Sequence, residues 1–144
     1  GAMPFLGVSA ISGMGDFLHL IESELLPQLA MRTTRMPCVP EGARQATFNL
    51  NSVHGGQPEP YNGRPALVVA DRCRLVLDRR YLIEEDLGAV QGEIVALLER
   101  VKAARAGRGI QRRRVTARAM AGFLSGYQFP MYLLTCLPTL TLSC

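Results

Sequence analysis

Two segments of alternating polar and apolar residues lie near the middle of the chain, between Thr47 and Leu82. In the first, Thr47, Asn49 and Asn51 point to one side while Phe48 and Leu50 point to the other, because successive side chains on a strand face opposite sides. In the second, one side is apolar and the other is mostly charged. The apolar side holds Cys73, Leu75, Leu77 and Tyr81, and the opposite side holds Arg72, Arg74, Val76, Asp78 and Arg80. This pattern predicts an antiparallel strand pair that packs on helices through one face and leaves the other face open.

Apolar residues at three- and four-residue spacing predict an amphipathic helix from Ser9 to about Ala30. Ser9 is the expected N-cap, because its hydroxyl can accept a hydrogen bond from a free amide of the first turn. Pro27 is expected to kink the helix or to end its regular part near Leu26. Residues 31–46 follow with prolines and a glycine, which predicts a connecting loop.

A second amphipathic helix is predicted to open at the acidic run Glu84, Glu85 and Asp86 and to end near Gly107. Acidic side chains in the first turn and basic ones in the last turn complement the helix dipole. Adjacent glutamates also suggest catalysis, but Glu84 and Glu85 directly follow a strand and have no ligand histidine nearby in sequence. We therefore attribute them to the helix terminus.

The composition is that of one globular domain: 144 residues, 48% hydrophobic and 19% charged. The net charge of +4 is unevenly distributed, since residues 99–118 hold eight basic residues against Glu99 alone. The remaining 124 residues carry eight basic and eleven acidic side chains, a balance of −3. The cluster Arg112, Arg113 and Arg114 makes a basic nucleic-acid-binding module the alternative function. The predicted strands lack the aromatic and basic surroundings of an RNA-binding sheet, so we expect no nucleic-acid partner.

The four cysteines show no C-x-x-C spacing and no regular framework, which predicts reduced thiols and a cytoplasmic location. Residues 110–119 fit either a strand or a basic coil. From Ala119 to Cys144 no residue is charged, which is compatible with a membrane span. Glycines and prolines interrupt that segment, so we expect further strands, one of them over Tyr127–Leu137, and no membrane partner.

Three motifs, taken in order, carry a family resemblance. They are P-F-L-G-V-S-A-I-x-x-M from Pro4, N-x-N-x-x-H-G-G from Asn49, and V-x-D-x-C-x-L-x-x-D-x-R from Val69. With the second helix, the resemblance covers roughly residues 4–104. This part of the chain resembles the lid, or dimerisation, domain of the co-catalytic zinc aminoacylase and carboxypeptidase family, which includes acetylornithine deacetylase and succinyl-diaminopimelate desuccinylase.

The resemblance implies an α+β fold, a two-layer α/β sandwich with two helices on one face of an antiparallel sheet, of the ferredoxin-like β-α-β-β-α-β type. Residues 4–107 would form the lid domain, and residues 108–144 a basic and then uncharged tail that completes the sheet. The family's first strand has no counterpart here. Residues 113–119 or the apolar tail are the candidates for its central position.

The resemblance also implies the function. Family members hydrolyse N-acyl-amino acids or peptides with two zinc ions, which need several converging His, Asp and Glu ligands. Only His19 and His54 are present as histidines, so we expect no catalytic residue, metal ligand or cofactor in this chain. Zinc belongs to the parent enzyme's catalytic domain. The expected partners are that domain and a second copy of the chain, because lids of the family pair into homodimers.

Three positions match the family's substrate-binding residues. Arg80 stands where an arginine binds the substrate carboxylate, and bidentate pairing suits that task. The alternative is a solvated arginine paired with Asp78 or Glu84. His54 and Asn62 are further candidates for substrate contact, with loop capping as the alternative for His54. Gly55 and Gly56 are expected in the loop at the site mouth.

Overall fold

The computed structural model describes residues 7–56, 69–107, 115–121 and 134–143. The first helical segment is continuous: α1 (Ala10–Leu20), a π-helical turn (Ile21–Leu25) and α2 (Leu26–Ala30). The predicted N-cap is confirmed, because the amide of Ser12 donates to the hydroxyl of Ser9 at 3.2 Å. The wide turn ends where α2 begins, and Pro27 lies at the start of α2. Proline has no N–H to donate to the preceding turn, so the regular α-helix is interrupted just before it.

Residues 31–46 connect the helix to the sheet through a short 3₁₀ turn (Glu41–Arg44) and an isolated bridge between Thr33 and Gln45. The predicted strand pair is confirmed as β1 (Thr47–Gly55) and β2 (Arg72–Tyr81), which run antiparallel. After β2 come α3 (Leu87–Gly107), β3 (Val115–Ala121) and β4 (Leu134–Ser143).

These four strands form one sheet in the order β1-β2-β4-β3, and every neighbouring pair is antiparallel. The last strand in sequence, β4, therefore lies inside the sheet, between β2 and β3. Among the described strands, β1 and β3 are the edges. An edge strand presents unpaired backbone donors and acceptors along its outer side.

A β-bulge interrupts the pairing of β1 with β2, where the register shifts between Leu50 and Ser52. Before the bulge Asn49 pairs with Asp78, and after it His54 pairs with Arg74. One extra residue in β1 reverses which of its side chains share a face with those of β2. Simple alternation would have turned His54 toward the helices, whereas the bulge turns it to the open side.

The helices cover one face of the sheet, as the α+β fold class requires. The core joins the apolar stripe of the first helical segment, the inward face of β2 and the apolar stripe of α3. Its largest buried members are Met14, Phe17, Ile21, Leu29, Leu75 and Leu77. Burial of this apolar surface is the main favourable contribution to folding.

The start of the second helix differs from the prediction. α3 begins at Leu87, so Glu84 and Glu85 lie in the turn before it. Its cap is Asp86, whose carboxylate accepts a hydrogen bond from the amide of Ala89 at 2.9 Å. The helix terminus therefore explains Asp86 but not the two glutamates, which pair with residues of the 31–46 loop and of β2.

Candidate functional site

Arg80 lies on the face of the sheet that the helices leave uncovered. We call this the open face and define it by Arg72, Arg74, Val76, Asp78 and Arg80 of β2 with the residues of β1 that pair with them. The side chain of Arg80 is 50% exposed, and its Nε lies 3.5 Å from a carboxylate oxygen of Asp78. The other oxygen of Asp78 is buried and has no hydrogen-bond partner among the described residues. Arg80 thus faces solvent with one long ion pair, which leaves its guanidinium available to an anionic ligand.

His54 is exposed on the same face but far from Arg80. His54 pairs in register with Arg74, whereas Arg80 pairs with Thr47 near the other end of β1. Arg80 lies six positions after Arg74 along β2, which is about 20 Å. A small substrate cannot contact both side chains within one copy of the chain. The structure therefore places both predicted residues on one face without bringing them together.

Local packing and backbone conformation explain why Gly55 and Gly56 are glycines. A Cβ built on Gly55 would lie 3.0 Å from the Sγ of Cys73 and 3.0 Å from Cγ1 of Ile11 in α1. Gly56 adopts φ +82°, a conformation that side chains disfavour. The glycine pair thus lets α1 approach the end of β1. Two other predictions, Asn62 and the cluster Arg112–Arg114, lie outside the described residues.

Sequence reasoning missed Arg79, which is the only charged residue in the described core with 1% exposure. Its guanidinium donates to Glu85 at 2.8 Å and to the backbone carbonyl of Arg80. Glu85 also accepts from Arg32 at 2.9 Å and from the amide of Leu82 at 2.7 Å. The alternation of β2 was a usable signal, because it places residue 79 on the side of Leu77 and Tyr81.

This ion network determines the ionisation of Glu85. Burial raises the pKa of its carboxyl, but the hydrogen bonds from the amide of Leu82 and from Arg32, together with the charge of Arg79, outweigh that effect. The net pKa of Glu85 is lowered, so its charged form is stabilised in the fold. Arg32 also pairs with Glu93 of α3 at 2.7 Å. The network joins α3, the end of β2 and the 31–46 loop beside the position of Arg80.

Glu84 likewise has a structural partner. Its carboxylate accepts from the hydroxyl of buried Thr34 at 2.7 Å and from the amide of Arg35 at 3.0 Å. The hydrogen bond from Thr34 contributes most to lowering the pKa of Glu84, and the bond from the amide of Arg35 adds to it. The pairing of Arg80 with Glu84 that the sequence left open is not formed, whereas the pairing with Asp78 is.

A second surface of interest lies on α1. The side of α1 that faces α3 is identified by Asp16, which pairs with Arg105 at 2.6 Å, and by Gly13, which lies against the same guanidinium. Further along, Glu24 pairs with Arg100 at 2.7 Å. In an α-helix, side chains two positions apart point in directions that differ by about 200° around the helix axis. Ile11, Gly15 and Leu18 therefore point away from α3.

We call Ile11, Gly15 and Leu18 the outer flank of α1. Ile11 is 48% exposed, and its side chain lies over Gly55 and Gly56 at the end of edge strand β1. A Cβ built on Gly15 would meet no atom within 4 Å. The outer flank has no helical partner among the described residues. With the end of β1 it forms a surface that combines apolar side chains, a small residue and the outer backbone groups of β1, which have no strand partner among the described residues. Leu18 is partly buried against the core, and Ile11 is the more exposed of the two apolar side chains.

Neither a metal-binding cluster nor a membrane-spanning helix is found in the part of the chain that the structure describes. No group of three or more His, Cys, Asp or Glu side chains there could hold a metal ion. No helix within those residues is both long enough and apolar enough to cross a bilayer.

Comparison with protein families gives a match to the peptidase dimerisation domain over residues 1–106. Comparison with curated proteins gives no match, and comparison with solved structures gives none. The matched residues include α1, β1, β2 and all but the last residue of α3. Both the outer flank of α1 and the open face of β1 and β2 lie within the matched region.

Proposed function

Since the chain belongs to the peptidase dimerisation domain family, we propose that it joins two copies of a zinc-dependent amidohydrolase through the outer flank of α1 and the edge of β1. The parent enzyme is of the acetylornithine deacetylase and succinyl-diaminopimelate desuccinylase kind, and it hydrolyses N-acyl-amino acids or peptides. In this proposal the chain alone is inactive, self-associates, and acts in the cytoplasm.

One observation carries the dimer proposal: the outer flank of α1 has no helical partner among the described residues, and at Ile11 it meets the end of the edge strand β1. An isologous two-fold contact needs one surface that is complementary to itself. The edges of β1 from two copies can pair antiparallel, which satisfies their outer backbone groups and joins two four-stranded sheets into one. Gly15 allows the two α1 helices to approach closely, while Ile11 and Leu18 supply apolar contact.

Arg80 gives the proposed lid its part in substrate binding. No helix among the described residues lies on the open face, and within that part of the chain the ion pair of Arg80 is the 3.5 Å contact with Asp78. A substrate carboxylate would replace this contact with a bidentate one. In this proposal the zinc ions and the water that attacks the amide belong to the catalytic domain of the parent enzyme.

Gly15→Arg tests the interface with little risk to the fold. The added side chain has open space in the single chain but projects into the proposed contact. Gly92→Arg in α3 is the matched control, because Gly92 is also helical and exposed with no atom within 4 Å of an added Cβ. Both variants should gain about 0.5–1 kcal/mol of intrinsic helix stability.

Sedimentation velocity then separates the two variants. We expect Gly15→Arg to be monomeric at concentrations where the unmodified chain and Gly92→Arg are dimers. A dimer of undiminished affinity in Gly15→Arg would overturn the proposed interface. Loss of the dimer in both variants would assign the effect to added charge and would overturn it as well.

A further inference from the structure

The structure points to a second anion-binding region on the open face, formed by Arg72 and Arg74, for which we propose an extended acidic peptide as ligand. The proposal extends the Arg80 site of the proposed function along β2, and it does not depend on dimerisation. It would identify the substrate class as peptides with several carboxylates.

The first observation is unbalanced charge. Arg72, Arg74 and Arg80 are all exposed, and the acid on the same side of β2 is Asp78. The open face of β2 therefore carries three cations and one anion. Arg72 and Arg74 form no ion pair or side-chain hydrogen bond with any residue that the structure describes. Exposed cations in this arrangement attract an anionic partner and repel a cationic one.

The second observation comes from the register of the neighbouring strands. On β4, the residues paired with Arg80, Arg74 and Arg72 are Thr135, Thr141 and Ser143. On β1, Arg80 pairs with Thr47 and Arg74 with His54. No acidic residue occupies any of these register positions. The strands beside β2 therefore place no carboxylate at these register positions that would neutralise the arginines.

The third observation is spacing. Arg72 and Arg74 are alternate residues of one strand, so their side chains repeat at about 7 Å, and Arg80 lies about 20 Å further along. Alternate side chains of an extended peptide repeat at the same interval. A peptide lying along β2 with carboxylates at every second residue therefore matches all three arginines. A single small carboxylate matches only one.

The absence of aromatic side chains on this part of the sheet favours a peptide over a nucleic acid. Phe48 pairs with inward-facing Arg79, and Tyr81 is buried, so neither belongs to the open face of β1 and β2. Single-stranded nucleic acids bind sheets largely by stacking bases on aromatic side chains. Carboxylates need only cations and hydrogen-bond donors.

The test uses a fluorescein-labelled peptide of five Glu-Gly repeats, with five Gln-Gly repeats as the uncharged control. Binding to the full chain is followed by fluorescence anisotropy at several salt concentrations. We expect the acidic peptide alone to bind, with affinity that falls as salt rises. The double variant Arg72→Ala/Arg74→Ala should bind about tenfold more weakly, since it removes two exposed charge-assisted contacts.

A matched control removes the same charge elsewhere. Arg35→Ala/Lys102→Ala takes two cations from the 31–46 loop and from α3, and should leave peptide affinity within about twofold of the unmodified chain, because screening limits distant surface charges. Arg72→Lys/Arg74→Lys keeps the charge and should restore most of the binding. Thermal melting checks that each variant keeps the fold.

Three outcomes would overturn the proposal. They are no salt-dependent binding of the acidic peptide, an equal loss of affinity in the control variant, and tighter binding of a single-stranded oligothymidylate of equal charge through the same arginines. Sedimentation of Arg72→Ala/Arg74→Ala keeps the two proposals separate. A variant that still dimerises but loses the peptide, and a Gly15→Arg variant that keeps the peptide but loses the dimer, would show two independent surfaces.

Discussion

Two neighbouring arginines at the end of β2 have opposite roles although the sequence gives them the same chemistry. Arg79 is buried at 1% exposure and anchors Glu85, whereas Arg80 is half exposed and has one long ion pair. The family resemblance directs attention to Arg80. Strand alternation identifies Arg79, provided that a charged residue is allowed on a face that is otherwise apolar.

Substitution of these arginines should separate a structural from a ligand-binding role. We expect Arg79→Ala to lower the free energy of unfolding by about 3 kcal/mol, because it leaves the carboxylate of Glu85 without its buried cationic partner. Arg80→Ala should change it by less than about 0.5 kcal/mol, as is usual for exposed side chains. Urea unfolding measures both values. Equal effects would contradict the assignment of Arg79 to the core network.

Glu85 should make the stability of the fold depend on pH. Its pKa is lowered from the ordinary value of 4.5, so the unfolded chain takes up this proton at higher pH than the folded chain. The stabilisation is fully present above about pH 4.5 and is lost as pH falls through the folded-state pKa. Glu85→Gln should be less stable than the unmodified chain at pH 7, and the difference should shrink below about pH 4. Urea unfolding across that range measures it, and a constant difference would show that Glu85 is not the titrating group.

At the scale of elements, the packing of α1 on the end of β1 depends on Gly55. Gly55→Ala would place a methyl group 3.0 Å from Ile11 and from Cys73, and 3.2 Å from the carbonyl of Arg72. We expect a loss of about 1–2 kcal/mol, since these neighbours must move apart. Gly42→Ala is the control, because an added Cβ there meets nothing within 4 Å and should be nearly neutral. Equal melting temperatures for the two variants would show that α1 does not press on Gly55.

The elements themselves follow closely from the sequence where the pattern is local. The apolar stripes predicted both helices, the Ser9 cap is present, and the alternation of β2 predicted its buried face. The predicted start of α3 was wrong, because an acidic run has the same sequence pattern whether it caps a helix or pairs with distant arginines. The bulge at Asn51 was missed because it depends on how β1 aligns with β2, which no local pattern reveals.

For the whole molecule, the family resemblance implied the fold class, while the sequence left open whether residues 113–119 or the apolar tail would lie centrally in the sheet. The segments after α3 have ambiguous alternation, and the pairing of distant segments is set by tertiary packing. The structure places β4, from the apolar tail, between β2 and β3 and leaves β3 at the edge. Of the strand predicted over Tyr127–Leu137, residues 134–137 begin β4, and residues 127–133 lie outside the described residues. The outer flank of α1 could not be predicted from the sequence either. Identifying the side of α1 that α3 does not cover requires knowing where α3 packs. The boundary between residues 4–107 and 108–144 stays a prediction.

The central claim is that this chain is a dimerisation domain that pairs through α1 and β1, and sedimentation of the unmodified chain over a concentration series tests it most directly. We expect a species of 31.4 kDa, twice the chain mass of 15.7 kDa, that dissociates reversibly on dilution. The same series with Gly15→Arg should give the monomer throughout. A monomer of 15.7 kDa for the unmodified chain at every concentration would contradict the account.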